Sequence, residues 1–336
     1  MNQDAVVHYF TGTGNTRHAA RIAAERLRAA GWTVTERPMD RCPPEAGAAE
    51  LHWFLYPMYG FGAPALVTRY LSALSAPPGA RAVVLAVGGS MRGEPGDEGV
   101  SLHRLSSLLR KRGFTVFYTN LVSYPINWTQ FFNPPTPAES ARICEQTDER
   151  VRRIADAVLR GETHLRKRSR RARAGLGLIY LAYRSLGRRL LGKLFTADDR
   201  CDGCSACARR CPASAIAMRH GRPAWDWRCE GCMRCINACP REAIQSSSAR
   251  MLVFAAAGLL PFWPALAAGR AVSAPVLSLL AGIGVFLAAT GLFLLAADRL
   301  LAFAGTRPAG RRLLAPGPSR RFRRYRGPGD GAGPSE

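Results

Sequence analysis

Eight of the ten cysteines in this 336-residue chain lie between Cys201 and Cys239, in two copies of one spacing. Cys201, Cys204, Cys207 and Cys211, followed by Pro212, read C-x2-C-x2-C-x3-C-P; Cys229, Cys232, Cys235 and Cys239, followed by Pro240, repeat the pattern 28 residues on. The flanks repeat as well, Asp202-Gly203 as Glu230-Gly231 and Pro-Ala-Ser-Ala-Ile as Pro-Arg-Glu-Ala-Ile. A cubane iron–sulfur cluster needs four thiolates converging from different directions, and a tight C-x2-C-x2-C loop wraps only three of its irons. The fourth ligand must come from elsewhere, and in this spacing the last cysteine of each run serves the other cluster. That assigns Cys201, Cys204, Cys207 and Cys239 to one [4Fe-4S] cluster and Cys229, Cys232, Cys235 and Cys211 to a second. Tetrahedral zinc sites want two separated pairs. Disulfides suit neither the spacing nor the reducing cytoplasm, the compartment expected of a chain whose first ten residues show no signal-peptide pattern. Cys42 and Cys144 stand apart and read as ordinary thiols.

Ahead of this block, residues 1–161 alternate short apolar runs with amphipathic stretches, the pattern of a doubly wound α/β domain on a parallel sheet. Strands are expected at residues 5–10, 33–39, 51–57, 82–88 and 114–122, and helices at 16–30 and 138–159. The third and fourth strands are continuously apolar, as strands covered on both faces are. Between the first strand and the first helix lies Thr11-Gly12-Thr13-Gly14-Asn15-Thr16, whose amides and hydroxyls would meet at a helix N-terminus and make an anion site. A Walker A loop needs Gly-Lys-Ser/Thr, which is missing here, and a Rossmann fingerprint needs glycine where Arg17 stands. Glu36 is nonetheless placed tolerably for a dinucleotide's ribose; the third reading is the phosphate of flavin mononucleotide (FMN), held by neutral donors without a lysine. No HExxH or GxSxG occurs, and the scattered His8, His18, His52, His103, His164 and His220 read as core or surface residues.

At the cysteine block the sequence resembles the bacterial ferredoxins with two [4Fe-4S] clusters, over residues 196–245, which implies low-potential electron transfer. The T-x-T-G-N-T loop resembles the phosphate loop of the flavodoxins, over residues 5–159. That resemblance implies that Thr11, Gly12, Thr13, Gly14, Asn15 and Thr16 hold the FMN phosphate and that two later loops line its ring. The first is Pro57, Met58, Tyr59, Gly60 and Phe61, with Tyr59 or Phe61 stacking on the ring and Gly60 bringing backbone to N5; the second is Gly88, Gly89 and Ser90. The combination resembles the bacterial flavodoxin/ferredoxin fusion family in a membrane-anchored form, and Tyr124-Pro125-Ile126-Asn127-Trp128 is similar to a Pro-x-Asn segment of that family. Unlike ordinary flavodoxins the chain is basic, with 47 Lys+Arg against 24 Asp+Glu.

Much of that excess lies in two places. Residues 162–195 form a basic linker in which Leu176, Ile179, Tyr183, Leu186, Leu190 and Leu194 recur at helical spacing between Arg184, Arg188, Arg189 and Lys193, an amphipathic helix suited equally to an anionic lipid surface or to protein. Residues 298–336, rich in Arg, Gly and Pro, read as a disordered basic tail. Between the ferredoxin-like segment, 196–248, and the tail lie uncharged runs at 251–268 and 271–297, each long enough to cross a bilayer. Arginines flank the pair on both outer sides and only Arg270 lies between, so the positive-inside rule places both termini in the cytoplasm and the hairpin in the inner membrane. Lipid, not nucleic acid, is the expected counter-ion of the basic segments. The expected protein is therefore an electron carrier between FMN and two clusters, serving an unidentified donor or acceptor protein or quinone. The other readings are a flavin-dependent reductase of quinone or a small substrate, and an iron–sulfur redox sensor.

Overall fold

The computed structural model describes residues 3–93, 96–166 and 170–328, with backbone alone for 170–173. Six strands make one parallel sheet: β1 (Asp4–Tyr9), β2 (Thr33–Pro38), β3 (Leu51–Pro57), β4 (Arg81–Ser90), β5 (Thr115–Pro125) and the short β6 (His164–Leu165). Their order is β2-β1-β3-β4-β5-β6, the flavodoxin-like order, whose switch point between β1 and β3 opens the crevice where such sheets bind ligands. Helices α1 (Asn15–Ala29) and α4 (Pro137–Leu159) cover one face, packing Ala19, Ala23, Leu27, Val151 and Ile154 on Val7, Trp53 and Leu85. The other face is covered by α2 (Ala65–Ala73) and α3 (Ser101–Lys111) through Val67, Leu71, Leu105 and Leu109. All of β3 is buried, which is why its sequence shows no alternation. A capping box, Thr136 with Glu139, starts α4 behind Pro137.

Buried between the sheet and α2 is a chain of neutral donors. Tyr70 donates its hydroxyl to His8 Nδ1 at 3.0 Å, His8 donates from Nε2 to His52 Nδ1 at 3.3 Å, and His52 donates from Nε2 to the Ala49 carbonyl at 3.0 Å. The carbonyl can only accept, so it fixes both tautomers. Burial lowers His8 well below the ordinary histidine value and brings His52 down to about 4.

The linker runs as α5 (Arg170–Ala182), one π-helical turn (Tyr183–Gly187) and α6 (Arg188–Lys193). The expected face is only half right. Tyr180 and Leu194 are buried, whereas Ile179 and Leu186 face outward, because the wide turn shifts the buried stripe between the two helices. The stripe meets protein: the ring of Tyr183 packs on Gly60 and that of Tyr180 on Gly62, with the Tyr180 hydroxyl donating to the Ala63 carbonyl at 2.7 Å.

The cysteine-bearing unit has an antiparallel pair, β7 (Phe195–Ala197) with β10 (Ile244–Ser246), and a hairpin, β8 (Ile216–Arg219) with β9 (Arg222–Trp225). Two short helices, α7 (Ala206–Arg209) and α8 (Arg234–Asn237), follow the two cysteine turns. The repeat extends to the backbone. Left-handed residues occur at Gly203, Ser205 and Ser214 and again at Gly231, Met233 and Glu242, each 28 residues apart.

From β10 the chain enters α9 (Ser248–Leu259) and α10 (Phe262–Arg270), broken at Pro261, then returns along α11 (Pro275–Thr306). By length and composition, Ser248–Arg270 and Pro275–Thr306 are each able to cross a membrane. The tail departs from expectation. It forms α12 (Pro308–Leu314) and a 3-10 turn (Pro318–Arg321), then lies as an ordered strap across the cysteine-bearing unit to the first loop. Polar groups of the folded units, among them the Ser246 amide and the Asn237 side chain, supply the partners that its composition lacks. Residues 329–336 lie outside the described residues.

Candidate functional site

The eight cysteines fall into two cavities, and the grouping crosses the repeat. Cys201, Cys204, Cys207 and Cys239 line one, together with Pro240 and Ile244. Cys211, Cys229, Cys232 and Cys235 line the other, with Phe195, Ile216 and Trp225. The fourth cysteine of each run therefore faces the other run's cavity. The sulfurs ring each cavity and do not converge on a point: among the described residues no three candidate ligands sit close enough for a single ion. Burial pushes the thiols of Cys207 and Cys232 up to about 11 and that of Cys229 up to about 12. Such thiols become thiolates only when a bound cation offsets the desolvation. Backbone amides already aim at sulfur, Ala215 to Cys211 Sγ at 3.3 Å and Gly231 to Cys229 Sγ at 3.4 Å. Cys204 alone among the eight is exposed.

The second cavity abuts the first loop of the sheet unit. Arg234, between Cys232 and Cys235, donates to the carbonyls of Thr11 at 2.6 Å and Gly12 at 3.3 Å and pairs with Asp40 at 2.7 Å. Glu230, also buried, accepts the Ala65 amide at 3.1 Å and so caps α2, where Pro64 offers no side chain. Arg188 donates to the Cys229 carbonyl at 2.9 Å. Asn237 satisfies all four of its hydrogen bonds, accepting from Thr129 and Tyr325 and donating to Met233 and Asn127. It joins the sheet unit, the cysteine-bearing unit and the strap at one side chain. Arg234, Asp40, Asn237 and Tyr325 carry no sequence signal, and Glu230 only its place in the repeat, because each works across an interface between distant segments.

The loop Thr11–Thr16 is the entry to α1, with Gly14 at φ 104° and, among the described residues, neither a side-chain cap nor an acid in the first turn. Asn127 of the Pro-x-Asn segment donates to Thr13 Oγ1, and Asn15 Nδ2 donates to the Pro125 carbonyl at 3.0 Å. An uncapped helix N-terminus behind hydroxyl-bearing residues fits a phosphate monoester. The ring loops are arranged otherwise than expected. Tyr59 turns inward, its hydroxyl and the Cys232 carbonyl both lying against Gly12, whereas Phe61, the other candidate, is partly exposed at φ 66°. Gly60 meets Tyr183 and is covered. Met58 is held by its amide to the Val87 carbonyl at 2.9 Å, just past Pro57 at the end of β3. Gly88 and Gly89 end β4 against Ser123 and Ile126, and Ser90 Oγ accepts the Gly93 amide at 2.9 Å.

Fold and cysteine arrangement together place a sheet unit of flavodoxin-like strand order and a unit with a doubled C-x2-C-x2-C-x3-C-P spacing in one chain. Residues 193–240 match the protein family described as the 4Fe-4S dicluster domain. No curated protein matches the chain. Among solved structures, rubredoxin oxygen:oxidoreductase from Desulfovibrio gigas is similar at 19% identity over 47% of this chain and 37% of its own, TM-score 0.29. A flavodoxin from Streptococcus pneumonia TIGR4 is similar at 17% identity over 47% of this chain and 99% of its own, TM-score 0.35. Flavodoxin 2 from Bacillus cereus is similar at 14% identity over 46% and 98%, TM-score 0.34.

Proposed function

We propose that this chain is a membrane-anchored electron carrier in which FMN, at Thr11–Thr16, exchanges electrons with two [4Fe-4S] clusters. Cys201, Cys204, Cys207 and Cys239 hold one cluster, and Cys211, Cys229, Cys232 and Cys235 hold the other. The observation that carries the reading is the crossed grouping of the cysteines into two cavities, one of them abutting the phosphate loop. Bound FMN supplies interconversion of two-electron and one-electron transfer. The chain's own residues do the rest. The neutral loop donors and the α1 N-terminus hold the phosphate, Arg234 and Asn237 fix the second cysteine turn against that loop, and Asn127 orients Thr13. The first set, reaching the surface at Cys204, faces an external partner. The order of centres is then flavin, second cluster, first cluster, partner.

Membrane anchoring is supported by the exposure of the apolar hairpin, since only 6% of the most apolar stretch of Pro275–Thr306 is buried within the chain. At 32 residues α11 is about 48 Å long, more than the roughly 30 Å of a hydrocarbon core. Its last turns, Leu294 to Leu301, pack on Phe254 and Leu194 and so extend into the head. Anaerobic cofactor analysis of detergent-purified protein tests the proposal. One FMN and about eight irons with matching sulfide per chain are expected. Zinc in place of iron would sink the cluster reading, and iron without flavin would leave the sheet unit as a docking scaffold.

A further inference from the structure

We propose that the C-terminal strap is a positioning element of the phosphate loop, acting through Tyr325 and Gly327; this rests on the flavin reading above. The loop's backbone orientation is set from outside. Arg234 holds the carbonyls of Thr11 and Gly12, and the Gly327 amide donates to the Thr13 carbonyl at 3.0 Å. Across a trans peptide the carbonyl and the following N–H point in opposite directions. Pinning these three carbonyls therefore turns the amides of Gly12, Thr13 and Gly14 the other way. The Gly14 amide is taken by Thr11 Oγ1 at 3.0 Å, which leaves those of Gly12 and Thr13 for an anion, a backbone nest. The strap thus holds the Thr13–Gly14 peptide at the edge of the nest, keeping the Gly14 amide turned onto Thr11 Oγ1 while Arg234 holds the two peptides that carry the nest amides.

Tyr325 acts two residues beyond the nest. Its hydroxyl donates to Asn15 Oδ1 at 2.5 Å while Asn15 Nδ2 donates to the Pro125 carbonyl at 3.0 Å. The Asn15 side chain, at the first position of α1, is thereby held off the helix terminus, and the terminus stays free for a ligand. The strap's sequence is selective at this contact. Tyr325 and Gly327 are buried while Arg323 and Arg326 point outward. A Cβ at Gly327 would lie 2.5 Å from the Thr13 carbonyl oxygen and 2.8 Å from the Gly14 Cα, closer than real side chains come. Along its path the strap is fixed independently: Ser319 Oγ accepts the Ser246 amide at 2.7 Å, and Arg324 donates to the Ile244 carbonyl at 3.0 Å. A change at its tip leaves these anchors in place.

The test uses the full chain in detergent, stripped of flavin and titrated anaerobically with FMN and, separately, with riboflavin, which lacks the phosphate; iron is measured alongside. Tyr325→Phe removes one hydrogen bond to a buried acceptor and is expected to weaken FMN binding about tenfold. Gly327→Ala displaces the strap tip and is expected to weaken it further. Riboflavin affinity and iron content should stay as in the unaltered chain. FMN affinity within twofold of the unaltered chain in both variants, or equal losses for FMN and riboflavin, would overturn the proposal. Failure of the flavin reading looks different: the unaltered chain would itself bind no FMN, and the strap's role would fall with it.

Discussion

Replacing Arg234 with methionine tests how firmly the two redox units are joined. The guanidinium is 2.7 Å from Asp40, with the two side chains only 15% and 6% exposed, and it also donates to the carbonyls of Thr11, Gly12 and Arg210. Methionine fills a similar volume but leaves the Asp40 carboxylate buried without a counter-charge. Removing one partner of such a pair costs about 3–5 kcal/mol. At about 2–4 °C per kcal/mol for a chain of this size, Arg234→Met should lower the melting midpoint by roughly 6–20 °C. Asp40→Asn removes the charge and keeps the shape, so the double variant should recover part of the loss, with a coupling of about 1–3 kcal/mol. The assay is anaerobic thermal unfolding of the loaded protein in detergent at one scan rate, followed by cluster absorbance. A shift under about 2 °C for Arg234→Met, or strictly additive effects, would place the pair with weakly coupled surface ion pairs and refute the interface argument.

Two further outcomes are expected. His8 and His52 are neutral in the folded chain, with pKa values below the unfolded value of about 6.5. Their contribution is therefore complete above that pH and is lost as pH falls toward the folded value near 4 for His52. By linkage His52 alone accounts for about 3 kcal/mol by pH 4, so His52→Gln should flatten the acid limb of stability measured by circular dichroism between pH 7 and 4.5; an unchanged slope would refute the neutral pair. Leu287→Arg, at a 64% exposed position within α11, should cost about 2.5–3.5 kcal/mol of membrane insertion and shift protein into the carbonate-extractable fraction, whereas Leu313→Arg in α12 should not; equal extraction of the two would argue against a spanning hairpin.

The sequence made the sheet legible because buried parallel strands are compositionally loud: residues 51–57 are bounded correctly, and the other main strands differ by a few residues at their ends. The fixed spacing of the cysteines is equally legible, and the two cavities are lined by the two sets of four that this spacing suggests as cluster ligands. Helices α2 and α3 were missed. The first is only nine residues long and takes its cap from Glu230, some 165 residues away, so no local start signal exists. Tyr59 read as a ring-stacking residue because loop position was the sole guide; its inward turn depends on Cys232, which only the folded chain brings near. The strap was the largest error. Its Arg, Gly and Pro content matches disordered segments, and what orders it is a set of specific partners, Asn15, Asn237 and Ser246, that no window of composition can register.

The joint between β10 and α9 is a single residue, Ser247, which also caps α9 by accepting the Arg250 amide at 3.2 Å. The Ser247 amide also donates to the Leu194 carbonyl at 2.9 Å, and the adjacent Lys193 meets Asp298 of α11 at 2.7 Å and lies over the Trp227 ring. The head therefore has no leash. A carrier on a flexible tether sweeps a volume and meets partners at many heights, with an encounter rate set by linker length. Here the exposed Cys204 edge is held at one height and one tilt relative to the hairpin. For the membrane-anchored carrier proposed above, searching would be left to the partner, and lengthening the Ser247 joint with glycines would trade one docking plane for a distribution of them.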